Sequence, residues 1–493
     1  MYIFLCVISL VSLYLLNLVF YRTSVDVPLP PGPKPLPIVG NVRDMPVPGS
    51  AEWLHWFKHK ELYGPISTVS VLGQRLVILN DARIAFDLLE KKSAIYSDRP
   101  ELPFASLCGM GETTYRKYIH RELGSPLNFA RFNLIQDTEV RRFLLRLLNA
   151  PQNLPDHARG LAGGLILKVL YGYNMDHTRR DPLLHYIEEA LKRFIPAMVP
   201  EAWLVNPLPF LRHVPGWWPG AGFQRTARSL RRDLQSLTDL PFGFVKQQIK
   251  AGIARHAYLP NLLLDKNIRS GSQEECDIKW SAVSLYFDGS DSTISTITSF
   301  FLAMVLYSDV QKRAQEELDR VVGRGRLPGF ADRDRLPYIN AVDDVYDGYY
   351  IPKGSVIMPN IWSFCHNPED YEDPMSFKPE RFLGDKPERD PQTLAFGFGR
   401  RVCPGRILAD SSIYLTIAMS LAAFNISKPV RDGEEVDVQP HFMPGITSHP
   451  APFELNIRLR DPRYEEMILS VQDEHPWETK DADIVRGMIE KHQ

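Results

Sequence analysis

A mostly helical fold with small β-sheets is the class this sequence predicts, on three observations. Long helical patterns run over Gln136 to Leu148, Ala282 to Leu306, Asp309 to Val322 and Ile407 to Phe424. Strand-like runs are shorter and fewer: Ile66 to Val71 with Arg75 to Leu79, and Phe453 to Arg458. No internal repeat or low-complexity tract interrupts them, and 44% hydrophobic residues in a chain of 493 is ample for a packed core.

Taken from the start, Met1 to Phe20 carries no charged side chain. At the rise of a helix, about 20 residues cross the hydrocarbon of a bilayer. The stretch has no basic leader and no small-residue cleavage site, so residues 1–21 read as an uncleaved transmembrane anchor rather than a signal peptide. Arg22 is the first positive charge, and it favours a cytosolic body. Within the next segment, 22–41, prolines crowd from Pro28 to Pro35, which ends any helix and forms a stiff hinge. The globular body is assigned to 42–460. The charge-rich remainder, 461–493, is expected to be a solvated tail.

Charge excludes one class of function. With 57 basic and 59 acidic residues the formal net charge is −2, without the basic excess of a nucleic-acid binder. The five cysteines (Cys6, Cys108, Cys276, Cys365 and Cys403) include no Cys-x-x-Cys pair and make an odd total. That is neither a disulfide framework nor a zinc site. A reducing compartment leaves each thiol free. Cys6, Cys108, Cys276 and Cys365 are expected to behave as small buried hydrophobes.

Cys403 is different. It lies in Phe396-Gly-Phe-Gly-Arg-Arg-Val-Cys-Pro-Gly405, directly before the apolar helical run from Ile407. Glycines let a loop backbone approach a flat ligand closely. A cysteine just before a helix N-terminus is stabilised as thiolate by backbone N–H groups and the helix dipole. Arg401 adds positive charge for an anionic group. Phe, Gly, Arg, Cys and Gly at these spacings would arise by chance on the order of once in 10⁴ such chains.

Upstream, Ala282-Val-Ser-Leu-Tyr-Phe-Asp-Gly-Ser-Asp-Ser-Thr293 sits inside the longest helical pattern. Read alone, Gly289 is a packing notch, and the hydroxyls bond back to helix carbonyls.

Together, Phe396, Gly399, Arg401, Cys403 and Gly405 resemble the Phe-x-x-Gly-x-Arg-x-Cys-x-Gly signature of cytochromes P450, most like the fungal microsomal members. The likeness runs from the proline hinge to about Arg460. It implies the cytochrome P450 fold and haem b, with Cys403 as axial thiolate ligand of the iron and Arg401 on a haem propionate. Thiolate ligation in this family favours O–O cleavage. The implied reaction is monooxygenation: one atom of O₂ enters a small apolar substrate. Secondary-metabolite (terpenoid or polyketide) biosynthesis and xenobiotic oxidation are the settings considered. Electrons would come from an NADPH-dependent cytochrome P450 reductase, with cytochrome b5 as a possible second donor. The expected location is the endoplasmic reticulum membrane, single-pass, with a cytosolic body.

The same resemblance gives Gly289, Asp291 and Ser292 roles. Gly289 would leave room over the iron, and Asp291 and Ser292 would match the family's acid–alcohol proton relay. Serine keeps the hydroxyl of the usual threonine but loses the methyl that fixes its rotamer. Asp288 stands where the family has a small residue. Arg116, in the stretch 111–124, best matches the arginine of Trp-x-x-x-Arg, which reaches a propionate. Substrate contacts are expected from 107–112, the start of the Ala282 helix, and 445–448.

One piece of the pattern is absent. The family's Glu-x-x-Arg helix should follow Leu336-Pro-Tyr-Ile-Asn340, yet Asn340-Ala-Val-Asp-Asp-Val-Tyr-Asp-Gly-Tyr-Tyr-Ile-Pro-Lys-Gly354 passes straight to the strand segment beyond it. Glu139-Val-Arg-Arg142 and Glu317-Leu-Asp-Arg320 fit the letters but lie on other helices. Arg381, in Pro-Glu-Arg-Phe382, is therefore expected to lack its carboxylate and arginine partners, at a cost of several kcal/mol if buried. A second piece is missing where the stretch before Tyr115 is short and lacks the tryptophan of Trp-x-x-x-Arg, and two such contiguous losses fit skipped exons or a faulty gene model better than drift. Two rival readings follow: a catalytically impaired haem-binding remnant, and a reductase-independent haem-thiolate isomerase or dehydratase.

Overall fold

The computed structural model describes residues 28–47, 49–110, 116–176, 179–195, 199, 202–265, 268–340, 354–445, 447–476 and 481–490. The anchor expected at 1–21 and the junction at 341–353 lie outside the described residues.

The hinge ends by docking on the body. The Pro31 carbonyl accepts from the Thr68 amide at 2.9 Å, and the Asn41 amide donates to Ser70 O at 2.5 Å. Gly32 is required here: a Cβ would stand 1.9 Å from the Thr68 carbonyl oxygen. Helix α1 (Glu52–Tyr63) leads into β1 (Ile66–Val71) and β2 (Gln74–Leu79), an antiparallel pair. Their two-residue turn, Leu72-Gly73, has positive φ at both positions, the twist a tight hairpin prefers.

The body is helical, as expected. Its main helices are α2 (Arg116–Leu123), α3 (Asn133–Asn149), α4 (Leu154–Tyr171), α5 (Pro182–Phe194) and α6 (Gly222–Lys250). They are followed by α7 (Gln273–Leu306) and α8 (Ser308–Val321). Strand β3 (Val356–Pro359) then joins β2 in parallel, Leu76 opposite Val356. Helix α9 (Arg406–Ala423) runs into β4 (Phe424–Ser427). Short ribbons β5 (Val430–Arg431) with β6 (Glu434–Glu435), and β7 (Phe442–Met443) with β8 (His449–Pro450), precede β9 (Asn456–Leu459), which pairs with β4. Helices α10 (Arg463–Leu469) and α11 (Ala482–Glu490) close the described chain.

Helix α7 is the spine. Ser272 caps its first turn by accepting from the Glu275 amide, and α7 packs along α4, α9 and β8. Its C-terminal half (Ile297, Phe301) shares one core with Val140 and Phe143 of α3, Leu415 and Met419 of α9, and Phe424. Its N-terminal half (Ile278, Ala282, Tyr286) shares a second with α4, α5 and α6. Among the described residues, α9 alone is long and apolar enough to cross a bilayer, and it is instead a largely buried core helix.

Two expectations are corrected. The described part of 461–493, residues 461–476 and 481–490, is not a solvated tail. Tyr464, Ile468 and Val471 are buried in the first core and Val485 in the second. Their spacing at i, i+4 and i+7 is an apolar helical face that the surrounding charges obscure. Glu474 pairs with Arg141 of α3 at 2.6 Å, and Asp481 with Arg255 at 2.8 Å. Cys276, expected inside, is exposed in the first turns of α7, and Cys365 is only half-buried, whereas Cys108 is fully buried.

Candidate functional site

The loop before α9 is held open by backbone geometry. Gly397 and Gly399 both have positive φ (75° and 51°), a region other residues enter at a cost. At Gly399 a Cβ would lie 2.3 Å from the Leu89 carbonyl oxygen and 2.8 Å from Ser93 Cβ, so only glycine lets the loop cross the π-helical turn Phe86–Lys91. The Gly399 amide donates to the Glu90 carboxylate there. Phe398 is the anchor: it is buried edge-on against Phe86, with ring centroids 5.1 Å apart. The Cys403 amide donates to the Phe396 carbonyl at 2.7 Å, which closes the loop. A Cβ on Gly405 would be 3.9 Å from Cys403 Sγ, so the sulfur lies back toward the start of α9. There the helix N-terminus favours a thiolate.

Positive charge converges on this sulfur. The Arg116 guanidinium donates to the Val402 carbonyl at 2.7 Å, and Arg401 Nε donates to the Ser97 carbonyl at 2.5 Å. Burial lowers the Arg116 pKa, the nearby charges of Arg401 and Arg99 lower it further, and Cys403 opposes them. Among the described residues, none of Arg99, Arg116 and Arg401 forms an ion pair with a carboxylate. Three such arginines around one cysteine fit a flat, dianionic cofactor whose metal takes a thiolate, which is the donor chemistry of haem. Arg99 is the member sequence reasoning missed. Its signal was its place in the segment that packs under the cysteine loop, visible only once that packing is known.

The middle of α7 gives a mixed result. Gly289 faces α4: a Cβ there would be 3.0 Å from Ile166 Cδ1, so the position this glycine keeps clear is a packing notch. Thr293 and Thr296 bond back to the Gly289 and Ser292 carbonyls, as the plainer reading expected. Asp291 does otherwise. It accepts a hydrogen bond across space from His449 of β8, Nε2 to Oδ1 at 3.1 Å. The Asp288 side chain lies outside the described residues.

The expected substrate segments converge on α7. Leu107 and Met110 pack in one apolar cluster with Trp280 and Phe287 of α7, joined by Phe194 of α5 and Leu230 of α6. The Ser448 carbonyl accepts from Ser295 of α7 at 2.5 Å. Phe194 and Leu230 were not expected; nothing local in their helices sets them apart from other core positions.

The expectation for Arg381 is corrected. Its guanidinium, with a side chain only 7% exposed, pairs with Glu388 at 2.6 Å. It also donates to the carbonyls of Glu372, Asp373 and Ser376. Neighbouring Glu380 takes Arg313 and the Tyr338 hydroxyl as partners. Glu139 and Arg142, set aside above, form a buried ion pair within α3 at 2.7 Å.

A helical body with a cysteine held by a glycine loop under a cationic cluster is the architecture of a haem-thiolate protein. The family model for Cytochrome P450 matches residues 146–342 and 343–457, and the chain belongs to that family. A cytochrome P450 monooxygenase of Aspergillus oryzae, ppsD, is 42% identical, covering 92% of this chain and 93% of the relative. Another from Ampulloclitocybe clavipes, claR, is 43% identical over 96% of this chain and 94% of its own. The O-methylsterigmatocystin oxidoreductase of Aspergillus flavus is 38% identical, covering 100% of this chain and 99% of its own. That last alignment runs over 526 positions, 33 more than this chain has residues. The family match is also broken between 342 and 343, inside the junction whose sequence lacks the Glu-x-x-Arg motif.

Proposed function

We propose that this chain is a membrane-anchored haem-thiolate monooxygenase acting on a small hydrophobic secondary metabolite. The observation that carries the reading is Cys403, held at the start of α9 beneath three arginines that no described carboxylate neutralises. Bound there, haem supplies the binding and reductive activation of O₂. Cys403 would hold its iron through the thiolate, and Arg116, Arg401 and Arg99 would hold its propionates.

The remaining work falls to the protein. Asp291 and Ser292 hold and pass protons from α7, with the acid on the side that meets β8. Leu107, Met110, Trp280 and Phe287 supply an apolar wall that orients the substrate and keeps water from it. The printed name of one relative, an O-methylsterigmatocystin oxidoreductase, supports a hydrophobic secondary metabolite as substrate class. Electrons would come from NADPH through a separate reductase. Residues 1–21 would anchor the chain in the endoplasmic reticulum membrane, and the exposed Leu204, Phe210, Trp217 and Trp218 add apolar surface for that contact.

A second reading has its own support. The 33 surplus alignment positions and the split family match fit a chain that has lost a helix, and with it firm retention of haem. The carbon monoxide difference spectrum of the purified, dithionite-reduced protein separates the two. A Soret band at the thiolate-ligated position is expected. A band at the position of thiol- or imidazole-ligated haem, or no haem, would establish the second reading instead.

A further inference from the structure

Asp291 and Ser295 lie four residues apart on α7 and so project from one face of the helix. Both reach the same neighbour. Asp291 Oδ1 accepts from His449 Nε2 at 3.1 Å, and Ser295 Oγ donates to the Ser448 carbonyl at 2.5 Å. Ser448 Oγ in turn donates to the Met443 carbonyl at 3.0 Å, and Met443 pairs with His449 across the β7–β8 ribbon. The acid of the proposed relay is thus tied to a ribbon whose connecting loop is expected to touch substrate. The Asp291 side chain is 54% exposed and that of His449 26%. An aspartate so exposed has little packing to select its rotamer, and the imidazole supplies that selection.

We propose that His449 is a positioning residue for proton delivery: it fixes one carboxylate oxygen of Asp291 and leaves the other to hand on a proton. The inference rests on Asp291 being the relay acid. No bond is made or broken by His449; its contribution is orientation. Because the partner sits on the β7–β8 ribbon, a ligand that moves the ribbon also moves the acid. Proton supply is thereby linked to occupancy of the substrate side of α7.

The test uses the full-length chain and the variants Asp291→Ala, Asp291→Asn, His449→Ala, His449→Gln and Asp291→Ala with His449→Ala. One readout needs no turnover. In a double-mutant cycle of unfolding midpoints, Asp291→Ala and His449→Ala should be non-additive, the second substitution costing nothing once the first is made. The other readout is the share of NADPH electrons that leave as hydrogen peroxide in the presence of a reductase. His449→Ala should raise that share about threefold, the scale of a partly exposed charged contact. His449→Gln, which keeps an N–H donor, should return it toward the parent. An additive cycle overturns the proposal, and so does a parent-like peroxide share in His449→Ala beside a raised one in Asp291→Asn. If Asp291→Asn itself releases no extra peroxide, the relay reading beneath the proposal fails, an outcome separate from the other two. In a preparation that turns nothing over, the cycle alone decides.

Discussion

The cysteine loop at 396–405 and the segment around Arg381 are both rich in arginine, and the structure treats their charge in opposite ways. Arg381 is buried and fully engaged, by Glu388 and three backbone carbonyls. Around Cys403, Arg116 and Arg401 donate to backbone carbonyls, none of Arg99, Arg116 and Arg401 pairs with a carboxylate among the described residues, and the charges of Arg401 and Arg99 contribute to lowering the Arg116 pKa. Cations compensated within the chain serve its structure. Cations brought together and left uncompensated mark where an anion from outside belongs. Arg381 is not left bare: the described chain supplies it with a carboxylate seven residues away.

The sharpest break in that contrast is Cys403→Ala. It should abolish the thiolate-type Soret band completely, while the far-ultraviolet circular dichroism stays helical, because the loop is closed by the Cys403 backbone amide rather than by its sulfur.

Next in size is Arg381→Ala. Removing one member of a buried pair strands Glu388 and should cost about 3 kcal/mol in denaturant unfolding. A loss below a tenth of that would mean the Arg381 network is not formed.

Arg116→Gln should act with opposite signs on the two states. Relieved of repulsion from Arg401 and Arg99, the haem-free protein should unfold at a slightly higher midpoint. Haem transfer to apomyoglobin should meanwhile quicken by about tenfold, the equivalent of one charge-assisted hydrogen bond. A lower midpoint in the haem-free protein would show that Arg116 is structural, like Arg381.

The smallest effect calibrates the scale. Hydrogen bonds from Arg141 and Ser470 hold the Glu474 carboxyl down to about 2. Since its folded pKa is depressed, its contribution is fully present above the ordinary carboxylate range and is lost as pH falls through that range toward 2. The Glu474 side chain is half-exposed, so Glu474→Gln should cost only about 0.5 kcal/mol at neutral pH and nothing near pH 2. Midpoints measured across that range check both limits.

How much of this was legible in the sequence differs by region. The long helices were readable because core burial imposes a 3.6-residue period. The expected stretches 282–306 and 407–424 fall on α7 and α9 with small shifts at their ends. Helices α4, α5 and α6 went unnoticed. In α4 the apolar residues almost encircle the helix and the period is lost, since α4 is packed on several sides by α3, α5 and α7. The closing segment was hidden differently: over 463–474 three buried side chains stand among seven charged or polar neighbours, and composition outweighed spacing.

By itself, the sequence determined the family and singled out Cys403 as the proposed ligand. Both follow from local covalent necessity: a glycine where φ is positive and a carbonyl lies 2.3 Å from any Cβ, and a cysteine set just before a helix. Such requirements act over a few consecutive residues and leave a readable spacing. Tertiary structure alone decided which charges are compensated, that Gly289 faces Ile166, that Arg99 joins the cationic cluster, and that His449 meets Asp291 across 158 residues of chain. Those outcomes depend on pairs brought together by packing, where either partner alone looks like an ordinary surface residue.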